Sequence, residues 1–105
     1  MARDESFKDY VLDQLRELQG VRARGMFGGF GLYADATFFG IVADGRIYFK
    51  TYDQTRSEYE ARGMKPFRPT EKQTLRNYYE VPADVLEDAD ELVAWSLRAV
   101  QAAGG

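Results

Sequence analysis

The sequence predicts an α+β domain, a two-layer arrangement of a mostly antiparallel sheet with helices packed on one face. Three observations carry this. Asp44-Gly45 stands between two β-rich runs and marks a two-residue hairpin turn. Glycine and aromatic residues crowd together from residue 26 to residue 50. Amphipathic helical stripes stand near both ends of the chain. The expected order is α-β-β-β-β-α-β-α, in one domain covering residues 1–105.

The first helix is expected over 5–18, where Phe7, Tyr10, Val11, Leu15 and Leu18 follow helical spacing. Asp4 or Ser6 can cap its start, and Gly20 suits its exit. Residues 21–27 and 30–34 read as extended, joined through a turn at Gly28-Gly29. Asp35-Ala36 is the next expected turn. In the hairpin at 37–50, a type I′ turn at Asp44-Gly45 pairs Ala43 with Arg46, Val42 with Ile47, Ile41 with Tyr48 and Gly40 with Phe49. Strict alternation then puts Phe38, Gly40, Val42, Ile47 and Phe49 on the core face. Phe39, Ile41, Ala43, Arg46, Tyr48 and Lys50 fall on the opposite, mixed face.

A short helix is expected over 53–62, with Asp53 as N-cap and Gly63 after its end. The stretch 64–70 holds Pro66 and Pro69, which forbid a helix interior, and reads as extended or loop. A strand is expected over 73–81, with Leu75, Asn77, Tyr79 and Val81 on one face and Pro82 ending it. A helical turn at 83–87 precedes a C-terminal helix near 89–102, with Asp88 as its cap and Leu92, Val93, Trp95, Leu97 and Val100 as its stripe.

The chain has 105 residues, 45% hydrophobic and 30% charged, which fits one globular domain with its own core. It contains neither Cys nor His. Disulfides, thiolate chemistry and a Ser-His-Asp triad are therefore excluded within the chain, and a zinc site would need carboxylates alone. No long apolar run suggests a membrane span, and the polar N-terminus lacks a signal-peptide core. A cytosolic protein is expected.

Gly28-Gly29-Phe30-Gly31 superficially resembles a phosphate loop, but no Lys-Ser/Thr pair opens a helix after it. A turn or bulge explains these glycines better. Asp44 is explained by its turn and Asp53 by its cap, and no paired-carboxylate site is visible. The run Asp84, Glu87, Asp88 and Asp90 lacks EF-hand spacing and reads as a solvated helix start. No catalytic residue, cofactor or metal is expected.

Two stretches could hold a partner. Arg62, Lys65, Arg68, Lys72 and Arg76 interleave with Phe67, Tyr78 and Tyr79, a texture that suits single-stranded nucleic acid. A solvated loop beside half-buried strand tyrosines accounts for it more simply. On the second hairpin face, Phe39, Ile41, Tyr48 and Lys50 form a patch for a protein partner or a second copy. The alternative is cover by the chain's own segment 64–70, which supplies Met64 and Phe67.

Four blocks of the sequence resemble the N-terminal domain of the TfoX/Sxy family, bacterial proteins linked to regulation of natural competence. They are 26–33 (MFGGFGLY), 39–50 (FGIVADGRIYFK), 63–67 (GMKPF) and 78–82 (YYEVP), in family order. The resemblance implies an α+β domain like that of secretion-chaperone-type folds, with a regulatory rather than a catalytic role. It supplies no catalytic residues. Met26, Phe27, Gly28, Gly29, Gly31, Tyr33, Lys50, Pro66, Phe67 and Tyr79 are positions of the family motif. In the competence regulators a helical C-terminal domain follows, so this chain is expected to be a stand-alone domain of the type. Its expected role is protein contact in transcriptional regulation, with homodimerisation included. Nucleic-acid binding through 62–79 is the alternative.

Overall fold

Both residues of the Asp44-Gly45 turn have left-handed φ, +54° and +71°, as a type I′ turn requires. The computed structural model describes residues 5–26 and 28–104. In it the turn sets the predicted register: Ala43 faces Arg46, Val42 faces Ile47, Ile41 faces Tyr48 and Gly40 faces Phe49. The elements run α1 (Glu5–Gln14), β1 (Val21–Met26), β2 (Gly29–Ala34), β3 (Thr37–Ala43), β4 (Arg46–Lys50), α2 (Asp53–Ala61), β5 (Pro66–Thr70), β6 (Gln73–Glu80), α3 (Ala83–Leu86) and α4 (Ala89–Ala102). Among the described residues the strands form one antiparallel sheet in the order β1-β2-β3-β4-β6-β5.

The helices pack on one face of this sheet. Val11 of α1, Leu15 just after it, Tyr59 of α2, Val85 of α3, and Leu92, Trp95 and Ala99 of α4 join Phe30, Leu32, Val42, Ile47, Phe49 and Tyr79 in one buried cluster. The α+β expectation holds. α1 is shorter than predicted, ending at Gln14, yet Leu15 and Leu18 in the following turns stay buried. Ser6 lies inside α1, and Asp4 is outside the described residues.

Two local expectations are corrected. The turn between β1 and β2 contains Gly28, with φ +78°, while Gly29 is already in β2 opposite Met26. Phe27 lies outside the described residues. α2 begins one residue earlier than a cap at Asp53 implies: Tyr52 is the N-cap, and its N–H donates to Thr55 Oγ1 at 3.1 Å. Asp53 thus becomes the first helical residue, where its charge suits the helix dipole. Asp88 does cap α4, accepting from the Glu91 N–H at 3.2 Å.

The segment 64–70 contains a strand, β5, which is added to the predicted order. β5 is the outermost strand, beyond β6. An edge strand leaves one side of its backbone unpaired, so Pro66 and Pro69 remove no ladder bond that the sheet needs.

The largest correction concerns Phe38 and Phe39. Leu32 pairs with Gly40 and Tyr33 with Phe38, so Phe39 is an extra residue in β3 with no opposite number on β2. Such a bulge reverses the alternation on one side of it. Phe39 therefore turns into the helix-covered core, fully buried, with its ring 5.6 Å from Phe49. Phe38, predicted inside, lies on the other face, its ring near Tyr33 and Tyr78.

Candidate binding surface

The sheet face away from the helices has two halves. In one, Ile41 and Tyr48 sit side by side across β3 and β4, as the register demands. They are only 4% and 9% exposed. The Phe67 ring of β5 packs 4.6 Å from the Tyr48 ring, so the chain's own segment covers this half. Met64 turns the other way and packs against the helix-side core. A cavity of about 260 Å³ remains under the β5–β6 hairpin, with Ile41, Phe67, Pro69 and Gln73 in its lining. Burial raises the Tyr48 pKa, and the nearby Glu80 charge adds to the effect. Of the predicted patch, Phe39 is core, Ile41 and Tyr48 are covered, and Lys50 alone reaches the second half.

That second half is an aromatic row. Tyr33 on β2, Phe38 on β3 and Tyr78 on β6 have ring centroids 5.3 and 5.7 Å apart in sequence. All three are partly exposed. Gly31 makes room for the row: a Cβ there would meet Phe38, Met26 and Tyr33 side-chain atoms at 3.0–3.3 Å. Cations flank it. The guanidiniums of Arg22 and Arg24 lie 5.0 and 6.0 Å from the Tyr33 ring, and Lys50 Nζ lies 5.1 Å from the Tyr78 ring. Arg22 Nε also donates to the Asp35 carbonyl at 3.2 Å. Burial, then the neighbouring Tyr33, raises the Tyr78 pKa, so its hydroxyl stays neutral at physiological pH. Alternation along 73–81 does set Tyr78 on the face opposite Tyr79, but nothing along one strand shows that it meets Tyr33 and Phe38. The signal that could have found it was the pairing of Arg22 with Tyr33, which requires the β1–β2 register.

The predicted basic stretch does not gather on one surface patch. Arg62 pairs with Asp84 at 3.2 Å and lies 5.2 Å from the Trp95 ring. Arg98 lies 5.2 Å from the same ring and pairs with Glu58, so two guanidiniums flank the indole. Arg68 donates to the Glu71 carbonyl at 2.7 Å in the β5–β6 turn, where Lys72 is also exposed. Lys65 lies exposed before β5, and Arg76 lies on β6 in a shallow groove with Arg56, Glu60 and Tyr79.

In that groove the Tyr79 hydroxyl donates to Glu60 at 3.0 Å, tying β6 to α2. Burial raises the Tyr79 pKa, and the Glu60 contact raises it further. A phenol held this way is a poor base near neutrality. Arg56 bridges Asp53 and Asn77 at 3.2 Å each, fixing the start of α2 to β6. Among the described residues no three Asp or Glu side chains come together as a metal set, and no helix is long and apolar enough to cross a membrane.

The described residues thus define a small α+β domain whose sheet is helix-packed on one face and, on the other, half capped and half open. The sequence model of the TfoX N-terminal domain matches residues 13–103, and the chain belongs to that family. It is 31% identical over 80 residues to the DNA transformation protein TfoX1 of Aliivibrio fischeri, covering 74% of this chain and 36% of that protein. It is 34% identical over 89 residues to an uncharacterised 12.7 kDa protein in the trpE 5′ region of Spirochaeta aurantia, covering 85% of this chain and 73% of that one. The chain therefore spans about a third of the first relative and about three quarters of the second.

The motif positions acquire physical roles. Gly29 lies against the Val42 carbonyl. Gly31 and Tyr33 build the aromatic row, with Met26 beside them. Pro66 pairs with Tyr79 across β5 and β6, and Phe67 covers Tyr48.

Proposed function

We propose that this chain is a non-enzymatic regulatory domain that acts in the cytosol through protein contact, contact with a second copy included, in transcriptional control. The observation that carries the reading is membership of the TfoX N-terminal domain family across residues 13–103. A relative named for DNA transformation points to competence as the regulated process. The arrangement of ionisable groups supports the same reading. Tyr79 with Glu60, Arg62 with Asp84 and Arg98 with Glu58 join elements of the fold to one another.

Two measurements test it. Transcripts of a strain lacking the chain are compared with those of a complemented strain. A set of transcripts that changes and is restored supports regulation, and an unchanged profile under competence-inducing conditions sinks it. Light scattering across the micromolar range then reads self-association. Twice the monomer mass makes a second copy the partner, and a strict monomer assigns the contact to a different protein.

A further inference from the structure

We propose that the open half of the sheet face binds single-stranded DNA, with bases stacking on Tyr33, Phe38 and Tyr78 and phosphates held by Arg22, Arg24 and Lys50. This goes beyond the regulatory reading and stands on the geometry of the face alone. The three rings belong to three different strands and touch in a row at 5.3 and 5.7 Å. A sheet face with exposed rings is a known way to present stacking surfaces to two or three bases. Stacking of this kind tolerates any sequence, because every base has a π-face.

Charge decides the occupant. The chain as a whole is at −3, yet the open half of this face carries three cations. Among the described residues none of the three is in an ion pair with a carboxylate: the ion pairs lie elsewhere, and Glu80, on the same face beside Tyr48, is engaged by Arg46 at 3.4 Å. A second copy docked face to face about a two-fold axis would set Arg22, Arg24 and Lys50 against the same cations. A polyanion with flat apolar groups satisfies both features of the face. With the three cations assigned to phosphates and the rings to bases, no cation of the open half is left to select a ribose 2′-hydroxyl, so oligo-U should bind no more tightly than oligo-dT.

The test is fluorescence anisotropy with labelled oligo-dT of about ten nucleotides, a length within the usual single-strand site size. Binding is expected at low salt, with a log–log salt slope near −2, from three phosphate contacts at about −0.7 each. Phe38→Ala and Tyr78→Ala should each weaken binding on the order of tenfold. Arg24→Ala and Lys50→Ala, at the edges of the row, should each flatten the slope by about 0.7. Circular dichroism confirms that each variant is folded, and the two charge variants keep the test intact if a ring variant is not. Arg68→Ala and Lys72→Ala, in the β5–β6 turn, should leave affinity nearly unchanged.

The proposal is overturned by no binding at low salt. It is also overturned by equal affinity for duplex DNA, by tighter binding of oligo-U, or by equal binding of polyglutamate, which would mark an acidic protein as the occupant. Loss of binding in the β5–β6 turn variants alone would move the site to that turn. None of these outcomes bears on whether the chain regulates transcripts, so the two readings fail separately.

Discussion

The bulge in β3 makes a sharp prediction from two adjacent phenylalanines. Phe39 is fully buried and stacks near Phe49 in the helix-side core, while Phe38 is partly exposed on the open face. Phe39→Ala removes the ring's transfer energy and leaves a cavity that the sheet and α4 can only partly close, a loss of about 3–5 kcal/mol. A domain of this size is stable by about 5–15 kcal/mol, so the variant forfeits a large share of its stability. Phe38→Ala gives up only part of one ring's burial, about 1–2 kcal/mol. Urea unfolding followed by circular dichroism separates the two. With a slope of about 2 kcal/mol/M, the midpoint should fall by about 1.5–2.5 M for Phe39→Ala and by less than about 1 M for Phe38→Ala. Equal shifts, or a larger one for Phe38→Ala, would refute the bulge, because strict alternation from the Asp44-Gly45 turn places Phe38 inside.

Other consequences can be checked with the same unfolding assay. Gly29→Ala should cost several kcal/mol, since its Cβ would lie 2.0 Å from the Val42 carbonyl oxygen. Gly28→Ala meets open space and should cost only about 1–2 kcal/mol, the strain of a left-handed alanine. Asp88→Ala removes the α4 cap and should cost about 0.5–2 kcal/mol. Alkaline pH should destabilise the fold through Tyr59, whose burial raises its pKa well above the ordinary 10.0. The native state holds that proton where the unfolded chain releases it. Stability is therefore level below pH 10 and falls above it by about 1.4 kcal/mol per pH unit for this group. Tyr59→Phe should flatten that loss, and an unchanged alkaline slope would assign it to other groups.

The hairpin was legible because Asp-Gly turn chemistry is local: two residues fix the φ signs, and the register of β3 and β4 follows. Counting alternation outward from the turn works as far as Gly40 and fails at Phe39, because parity carries no record of an inserted residue. Gly40 next to two phenylalanines was the available cue, since glycine inside a strand often marks a bulge. The two prolines of β5 argue against a central strand, so its sequence alone reads as extended or loop, and only the tertiary order makes it an edge. The open face was invisible for a related reason. Its rings come from β2, β3 and β6, and its cations from β1 and β4. Nothing in the sequence of any one strand announces that they meet. The basic stretch 62–76, by contrast, looked coherent along the chain and is divided in space between Trp95, the β5–β6 turn and β6.

The sheet order has a consequence for how the domain comes apart. β1 to β4 form a continuous meander, and β5 with β6 forms a separate hairpin. The two are joined where β4 meets β6 by three residue pairs, Tyr48–Glu80, Phe49–Tyr79 and Lys50–Tyr78. Flanking bonds from Thr51 N–H to the Asn77 carbonyl and from Val81 N–H to the Ile47 carbonyl extend this seam by little. A short seam is where a cooperative unit detaches first. Amide protons of β5 and β6 should then exchange ahead of those in β2 and β3. Opening there would lift Phe67 from Tyr48 and carry Tyr78 away from Phe38. One fluctuation thus uncovers the capped half of the sheet and dismantles the aromatic row of the other half.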